Sequence, residues 1–278
     1  MKRGTAIALA MTGAVVIGGG ITAAVVMSKN KPAGKKNDKI EIPKVDPKND
    51  PIQDPDAGLV TFGSGIKGRL VEINVEKGAM APFIVALHGR DSDETQLAEI
   101  VSVIPARILL LRGAKKGQSG YRFFDAFFTD NNAKLAADIE TATDAVTTAI
   151  LEVENQLQSR GVYVGTAVVG YDQGGAIAYL LAAREIGGEL KSSYLGIAGM
   201  LPPSLYPTTD DPKRWENVAV SGVNGTLDPK VPIKDAAATI DAFATKGPPT
   251  PFTAFLSVEG ADHSLASLSA AAKAVILD

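Results

Sequence analysis

The segment between residues 162 and 185 constrains the fold more than any other, because a strand pattern, a glycine-rich turn and a helix pattern follow one another there without a break. The strand part, Val162–Val169, is an almost continuous run of β-branched and small residues, which is typical of a parallel strand covered on both faces. The turn Gly170–Gly175 places glycines two residues before and two residues after Asp172, where strand and helix need small neighbours to approach closely. Ala176–Glu185 is rich in Ala and Leu and predicts the helix. The segment therefore predicts a strand–helix unit of a mostly parallel sheet.

This turn has the spacing of the nucleophile elbow, written G-x-S-x-G, but Asp172 occupies the position of the serine. The central residue of such an elbow is held in a strained backbone conformation. Asp172 would also stand at a helix N-terminus, where the positive end of the helix dipole favours a carboxylate. Two interpretations follow: a hydrolase with a carboxylate nucleophile, or a hydrolase scaffold that has lost its reaction.

The rest of the globular part alternates strand and helix patterns, which predicts a mostly parallel sheet with helices on both faces. The predicted strands are 83–87, 108–111, 194–198, 218–221 and 252–258, and the predicted helices are 133–158, 234–245 and 265–277. An antiparallel hairpin of 59–62 and 69–75 is expected to precede them. Its link, Gly63–Gly68, matches the dinucleotide motif G-x-G-x-x-G, but a strand follows instead of a helix, so we interpret it as a turn.

Three more residues that are common in catalytic sites follow predicted strands. His88 follows the strand 83–87, Asp228 comes after 218–221, and His263 comes after 252–258. The chain contains two histidines, and both lie at strand ends, where the catalytic groups of parallel sheets gather. The order Asp172, Asp228, His263 is the nucleophile, acid, histidine order of the α/β-hydrolases.

Residues 80–275 resemble the phospholipase/carboxylesterase family of small α/β-hydrolases. The matching segments are Leu87-His88-Gly89, Arg112-Gly113 followed by Tyr121-Arg122-Phe123-Phe124-Asp125, Gly170-Tyr171-Asp172-Gln173-Gly174-Gly175-Ala176, Gly225-Thr226-Leu227-Asp228-Pro229-Lys230-Val231-Pro232, and His263-Ser264. This resemblance implies an α/β-hydrolase fold without a large cap domain, and an esterase-like site that uses no cofactor and no metal.

The resemblance also implies a role for each site residue. Asp228 would orient His263, His263 would be the general base, and the backbone N–H groups of Arg90 and Gln173 would form the oxyanion hole. The chain departs from the family pattern at two positions. Asp172 replaces the nucleophilic serine, and Asn224 stands where a histidine often precedes the Gly-Thr pair; we expect the second change to alter packing only.

An aspartate at the elbow favours a different reaction from ester hydrolysis. Attack of a carboxylate on an ester carbonyl gives an intermediate that expels the carboxylate more readily than an alkoxide. Attack on an sp³ carbon that bears a halide or an epoxide oxygen instead forms an alkyl ester of Asp172, which water activated by His263 hydrolyses. Haloalkane dehalogenases and epoxide hydrolases, which share the implied fold, work in this way.

Other features leave alternatives open. The connection between Ala198 and Asn217 is too short for the helical cap that those enzymes carry, and their caps supply the donors that hold the leaving halide or epoxide oxygen. The only candidate aromatic donors near the opening of the predicted site are Tyr121, Tyr171, Tyr206 and Trp215. One alternative is a membrane-tethered pseudohydrolase that acts as a binding or scaffolding module, although it would need neither His263 nor Asp228. Another uses Asp172 and His263 as a proton-transfer pair without a covalent step.

The N-terminal part differs from the rest of the chain. Lys2 and Arg3 precede an uncharged run at residues 5–27, which is long enough to span a bilayer. We interpret residues 1–28 as a membrane anchor or a cleaved signal segment, 29–56 as a disordered linker rich in Pro and Lys, and 57–278 as the α/β-hydrolase domain. The expected location is a bacterial-type inner membrane, the periplasm or the cell surface, and basic residues on both sides of the run leave its orientation open.

Composition narrows the expected partners. The chain has no cysteine, which excludes disulfides, thiolate metal sites and a cysteine nucleophile. Its formal net charge is −3 and no basic patch interleaved with aromatics is present, so we expect no nucleic-acid partner. Asp91, Asp93 and Glu94 form an acidic cluster that we interpret as a solvated loop rather than a calcium site. The expected partners are a small-molecule substrate or ligand, and a membrane through residues 5–27.

Overall fold

The computed structural model describes residue 56 and residues 58–184, 192–208, 217–246 and 252–277. All of these belong to the second of two units of the chain, residues 54–278. The anchor or signal segment predicted at 1–28 lies outside the described residues, as does the predicted linker up to residue 55, so both stay predictions. Within the described ranges, no helix combines the length and the apolar character needed to cross a membrane.

An eight-stranded sheet forms the centre of the described unit. Its strands are β1 (Val60–Thr61), β2 (Lys67–Ile73), β3 (Ala81–Leu87), β4 (Ala106–Arg112), β7 (Tyr163–Tyr171), β8 (Ser192–Ile197), β9 (Val218–Gly225) and β10 (Phe252–Val258), while β5 (Lys115–Lys116) and β6 (Tyr121–Arg122) form a separate hairpin. The strand order in the sheet is β1-β2-β4-β3-β7-β8-β9-β10. Strand β2 is antiparallel to β1 and β4, and the other neighbouring pairs are parallel. The mostly parallel sheet predicted from the sequence is therefore confirmed.

Helices cover both faces of this sheet. They are α1 (Ala98–Val101), α2 (Asn132–Ser159), α3 (Gln173–Arg184), α4 (Ile233–Lys246) and α5 (Leu265–Leu277). One buried apolar cluster joins the sheet to α2, α3 and α4, and a second joins its other face to α1 and α5. Because both faces are covered, all seven residues of the interior strand β4 are buried.

Most boundaries predicted from the sequence lie within a few residues of those in the structure. Helix α3 begins at Gln173, three residues before the predicted start, and β9 extends to Gly225 instead of ending at residue 221. The one-turn helix α1 and the hairpin β5–β6 were not predicted. Both are too short to show a periodic pattern in the sequence.

Strand register places the elbow at the carboxyl edge of the sheet. Gly170 pairs with Leu87 of β3 and with Gly196 of β8. The elbow itself requires glycine, because a Cβ atom at Gly174 would lie 2.1 Å from the carbonyl oxygen of Leu87. Asp172 adopts φ +52°, in the left-handed region that a side chain disfavours. The steric interpretation of the turn is therefore confirmed.

Candidate active site

Asp172 lies between β7 and α3 with its carboxylate buried. Its backbone N–H donates to the carbonyl of Ile197 at 2.9 Å, which fixes the turn against β8. The Oδ2 atom accepts a hydrogen bond of 2.8 Å from the backbone N–H of Arg90. The Oδ1 atom lies 3.3 Å from Nε2 of His263. The two oxygens of the carboxylate therefore have different neighbours: a fixed amide on one side and an imidazole on the other.

Asp228 orients His263 from the turn that follows β9. Its Oδ2 lies 2.8 Å from Nδ1 of His263, and its Oδ1 accepts hydrogen bonds from the backbone N–H groups of Lys230 and Val231 at 2.8 and 2.9 Å. Burial raises the pKa of Asp228, but the hydrogen bonds from His263 and Val231 outweigh it, and the net pKa is lowered. Asn224 shapes the same turn, since its amide donates to the carbonyl of Val231 at 3.0 Å. Asp228 is therefore ionised and fixed beneath the imidazole.

His263 lies between two carboxylates and is charged at neutral pH. Burial lowers its pKa, but Asp172 and Asp228 together outweigh this and raise it to about 9. The contact between Nε2 and Oδ1 of Asp172, at 3.3 Å, is an ion pair that does not meet the geometry of a hydrogen bond. Nε2 thus has no hydrogen-bond partner within the described part of the chain. This buried N–H is available to a substrate atom or a water molecule that enters the site.

The two amides predicted to form an oxyanion hole both lie at the elbow. The Arg90 N–H is occupied by Asp172 itself. The N–H of Gln173, the first residue of α3, has no acceptor in the described ranges. The side chain of Gln173 holds the neighbouring loop, since its Oε1 accepts from the Phe123 N–H at 3.0 Å and its Nε2 donates to the Phe124 carbonyl at 2.8 Å. The carboxylate of Asp172 therefore occupies one donor that a substrate carbonyl oxygen would need in a serine enzyme.

Two further residues support the site without facing a substrate. The Tyr171 hydroxyl donates to the backbone carbonyl of His263 at 2.5 Å, and burial raises its pKa. His88 accepts a hydrogen bond of 2.9 Å from the Gly113 N–H at Nε2, and its Nδ1 donates to the carbonyl of Gly89 at 2.5 Å. Burial lowers the pKa of His88, so this ring is neutral. Of the two histidines at strand ends, only His263 belongs to the site, a distinction that strand position alone did not reveal.

A cleft of about 130 Å³ opens at Asp172. It is lined by Arg90, Phe124, Ala126, Phe127, Phe128, Thr129, Asp172, Gln173, Pro229 and Lys230. The guanidinium of Arg90 lies 3.7 Å from the ring centroid of Phe127 and donates to the carbonyls of Asp125 and Ala126. The sequence showed the aromatic run but gave no reason to place it beside Asp172.

None of the aromatic donors suggested by the sequence lines this cleft within the described residues. Tyr171 is bonded to the backbone of His263, as described above. Tyr121 stacks under the guanidinium of Arg112, whose Cζ atom lies 4.5 Å from the centroid of the Tyr121 ring. Tyr206 packs against the apolar core, and Trp215 lies outside the described residues.

The interpretation of Asp91, Asp93 and Glu94 as a solvated loop is wrong for Glu94. Its side chain is buried and forms ion pairs with Arg112 at 2.7 Å and Arg69 at 2.8 Å. These two guanidinium groups compensate the buried charge, as a buried carboxylate requires. No cluster of His, Asp and Glu that would hold a metal ion occurs in the described part of the chain.

Comparison with known structures identifies the fold. The described architecture is similar to a carboxylesterase from Mesorhizobium loti (TM-score 0.61, 16% identity, 79% of this chain and 97% of that chain). It is also similar to the esterase PE8 (TM-score 0.57, 19% identity, 76% and 97%) and to acyl-protein thioesterase 2 from Zea mays (TM-score 0.55, 18% identity, 76% and 98%). No family model matches the chain, and no curated protein matches it by sequence. The strand order, the helices on both faces and these similarities show that the chain has an α/β-hydrolase fold.

Proposed function

We propose that this protein is a hydrolase in which Asp172 attacks an sp³ carbon that bears a halide or an epoxide oxygen. The attack forms an alkyl ester, which water activated by His263 then hydrolyses. The observation that carries the proposal is the position of the Asp172 carboxylate, with Oδ2 on the Arg90 N–H and Oδ1 beside His263. The structures to which the chain is similar include esterases, but a carboxylate at the elbow favours alkyl transfer over acyl transfer.

In the first step, a carboxylate oxygen of Asp172 forms a bond to the substrate carbon, and the bond from that carbon to the leaving atom breaks. A halide departs with the electron pair, whereas an epoxide oxygen becomes an alkoxide and takes a proton. Oδ2 becomes the carbonyl oxygen of the new ester and stays on the Arg90 N–H. The negative charge of Asp172 is lost in this step.

The loss of that charge prepares the second step. His263 then keeps only Asp228 as a charged partner, so its pKa falls and its proton can leave. Neutral Nε2 accepts a proton from a water molecule that attacks the ester carbonyl carbon. The resulting oxyanion forms on the oxygen held by Arg90, where the free N–H of Gln173 provides a second donor. Collapse of this intermediate breaks the bond between its carbon and the alkyl oxygen, which takes the proton back from Nε2 and leaves as the alcohol. The carboxyl group of Asp172 then gives its proton to His263, which restores the carboxylate and the ion pair.

A pseudohydrolase that binds a ligand is the second candidate, and one observation favours it. In the resting site Asp172 is paired with His263 and occupies the Arg90 N–H. Hydrolysis of an ester by a serine-type route therefore has neither its nucleophile nor a fully vacant oxyanion hole. On this reading the cleft binds a small molecule without converting it.

Isotope transfer in a single turnover distinguishes these functions. The full-length protein, in excess over substrate, is mixed with cyclohexene oxide or 1-bromobutane in ¹⁸O-labelled water. Mass spectrometry then measures the masses of the product and of the peptide that contains Asp172. We expect unlabelled oxygen from Asp172 in the first product and ¹⁸O in Asp172. His263→Gln should accumulate the ester, Asp172→Asn should form none, and the control Asp241→Asn, which removes an exposed carboxylate on α4, should behave like the native protein.

Each other outcome supports a different interpretation. Product that carries ¹⁸O, with none in Asp172, means that Asp172 and His263 transfer a proton to or from water without a covalent step. No product and no adduct with either substrate class means that the proposed nucleophile is inactive, and favours the binding module.

A further inference from the structure

We propose that Lys230 supplies the cationic donor for the leaving atom, and that the cleft takes a compact, apolar epoxide or haloalkane. This inference rests on the proposed function, because it concerns the first step of that reaction. In that step negative charge develops on the oxygen or halide that departs. A hydrogen-bond donor placed beside that atom stabilises the transition state.

Most polar groups that line the cleft are already engaged. The guanidinium of Arg90 donates to the carbonyls of Asp125 and Ala126 at 3.0 and 3.1 Å. The side-chain amide of Gln173 is bonded to the backbone of the adjacent phenylalanines. Thr129 offers only a neutral hydroxyl group. Among the described residues that line the cleft, Lys230 is a cation that is not engaged in this way.

Lys230 is an exposed residue that lines the cleft, and its backbone is held by the site itself. Its backbone N–H donates to Oδ1 of Asp228, whose Oδ2 contacts His263. Lys230 and Asp172 both line the cleft. Within the described ranges its ammonium group forms no ion pair and no hydrogen bond. An ammonium group on a flexible stem carries three donors, so Lys230 has the charge and the freedom to follow a departing atom.

The remaining lining defines the body of the substrate. Phe124, Phe127 and Phe128 provide an aromatic wall, and Pro229 adds apolar surface beside Lys230. The cleft offers about 130 Å³, whereas an apolar cavity of about 150 Å³ holds a benzene molecule. The cleft therefore fits an apolar group of about that size, and long chains must extend into solvent.

The step balances with groups that are present. With an epoxide, the Asp172 oxygen forms a bond to carbon, the ring C–O bond breaks, and its oxygen takes the electron pair and a proton from Lys230. The resulting amine regains a proton from the imidazolium of His263, directly or through water. With a haloalkane, the halide leaves as an anion beside the ammonium group. After ester hydrolysis, epoxide and water have given a vicinal diol, and haloalkane and water have given an alcohol, a halide ion and a proton.

The test compares leaving groups in the full-length protein that also carries His263→Gln, so that the Asp172 ester accumulates and its rate of formation can be followed by mass. Lys230→Met is expected to slow the reaction with cyclohexene oxide about 100-fold. It should slow 1-chlorobutane more than 1-bromobutane, because the poorer leaving group needs more stabilisation. Lys230→Arg should keep the rate with the two haloalkanes within a few-fold, because a guanidinium group also stabilises a departing halide, but it should not restore the rate with cyclohexene oxide, because arginine does not give up its proton. Lys234→Met, the loss of an exposed lysine on α4, should leave all rates unchanged. 1,2-Epoxydodecane should react at least about tenfold more slowly than cyclohexene oxide.

The outcomes separate the two proposals. An equal effect of Lys230→Met on all leaving groups, or no effect, overturns the role of Lys230 while ester on Asp172 still supports the proposed function. Equal rates with the long and the compact epoxide overturn the assignment of a compact substrate. A protein that forms no ester on Asp172 with any of these substrates contradicts the proposed function, and with it this inference.

Discussion

Replacing Asp172 by Asn is expected to lower the pKa of His263 from about 9 to roughly 7–8. The raised value lies about 2.5 above the ordinary histidine pKa of 6.5, which corresponds to a net preference for the charged ring of about 3 kcal/mol. Burial opposes this preference, so the two carboxylates together contribute more than the net amount. Asp228 remains bonded at 2.8 Å, and the neutral amide removes only the partner at 3.3 Å.

Proton NMR of the imidazole Cε1–H atoms measures this change directly, because the chain contains only two histidines. His88 is buried with a lowered pKa, so its signal does not titrate in the same range as that of His263. Asp262→Asn is the matched control: this carboxylate adjoins His263 in sequence, but it is exposed and accepts hydrogen bonds from Ser264 and Ser267. The control should titrate like the native protein. If the curves of Asp172→Asn and the native protein coincide, Asp172 does not hold the charge on His263, and the change from acid to base in the proposed second step loses its basis.

The same ion pair makes stability depend on pH in a defined direction. A histidine whose pKa is raised on folding stabilises the fold fully below the unfolded value of about 6.5, and this contribution disappears as the pH rises through 9. Between pH 6 and pH 10, the free energy of unfolding should therefore lose about 3 kcal/mol from His263. In Asp172→Asn the loss should be about half as large. The free energy of unfolding in urea is therefore measured against pH for both proteins, and the difference between the two curves separates the effect of the Asp172–His263 pair from that of other titrating groups.

Three further changes test other parts of the structure. Asp172→Ser should confer slow release of 4-nitrophenolate from 4-nitrophenyl acetate, because it restores a hydroxyl nucleophile and vacates the oxyanion hole. Gly174→Ala should lower the free energy of unfolding in urea by at least about 2 kcal/mol, because the new Cβ would lie 2.1 Å from the carbonyl oxygen of Leu87. Glu94→Gln should lower it by about 3 kcal/mol, because the buried Arg112 would lose its closest charged partner.

Matched controls decide each of these three outcomes. The esterase activity of Asp172→Ser should vanish when His263→Gln is added, and activity that persists would contradict the expected mechanism. Gly63→Ala should cost little, since its Cβ meets only the movable end of the Glu152 side chain; equal costs at the two glycines would refute the steric argument. Glu99→Gln removes an exposed carboxylate and should change stability by less than about 1 kcal/mol, so an equal effect at Glu94 would show that its burial contributes nothing.

The sequence predicted those parts of the site that depend on local patterns. The glycines around Asp172 and the apolar run before it are consecutive in the chain, so the elbow could be derived from them. Asp228 and His263 lie beyond the ends of parallel strands, and such ends meet at one edge of a sheet. The structure brings all three residues within contact distance, while their roles in catalysis stay a proposal.

The properties that the sequence did not reveal depend on distant partners. Glu94 looked exposed among acidic neighbours, but Arg69 and Arg112, 25 and 18 residues away, enclose it. His88 and His263 are equivalent in strand position, and only their surroundings make one neutral and the other charged. Such differences follow from burial and charge pairing in three dimensions, which composition and spacing do not encode.

A carboxylate at the elbow changes which atom uses the oxyanion hole. In a serine hydrolase the hole stabilises an oxygen that arrives with the substrate, so its donors must be vacant at rest. Here the Arg90 N–H already holds Oδ2 of Asp172, which disfavours acyl transfer. In the proposed mechanism, the same contact would keep the carbonyl oxygen of the Asp172 ester on the Arg90 N–H, which stabilises its oxyanion. In a serine hydrolase the hole acts in both the formation and the breakdown of the covalent intermediate, whereas in the proposed mechanism it acts only in the breakdown. For this reason the loss of ester hydrolysis and the gain of alkyl-ester chemistry are expected together.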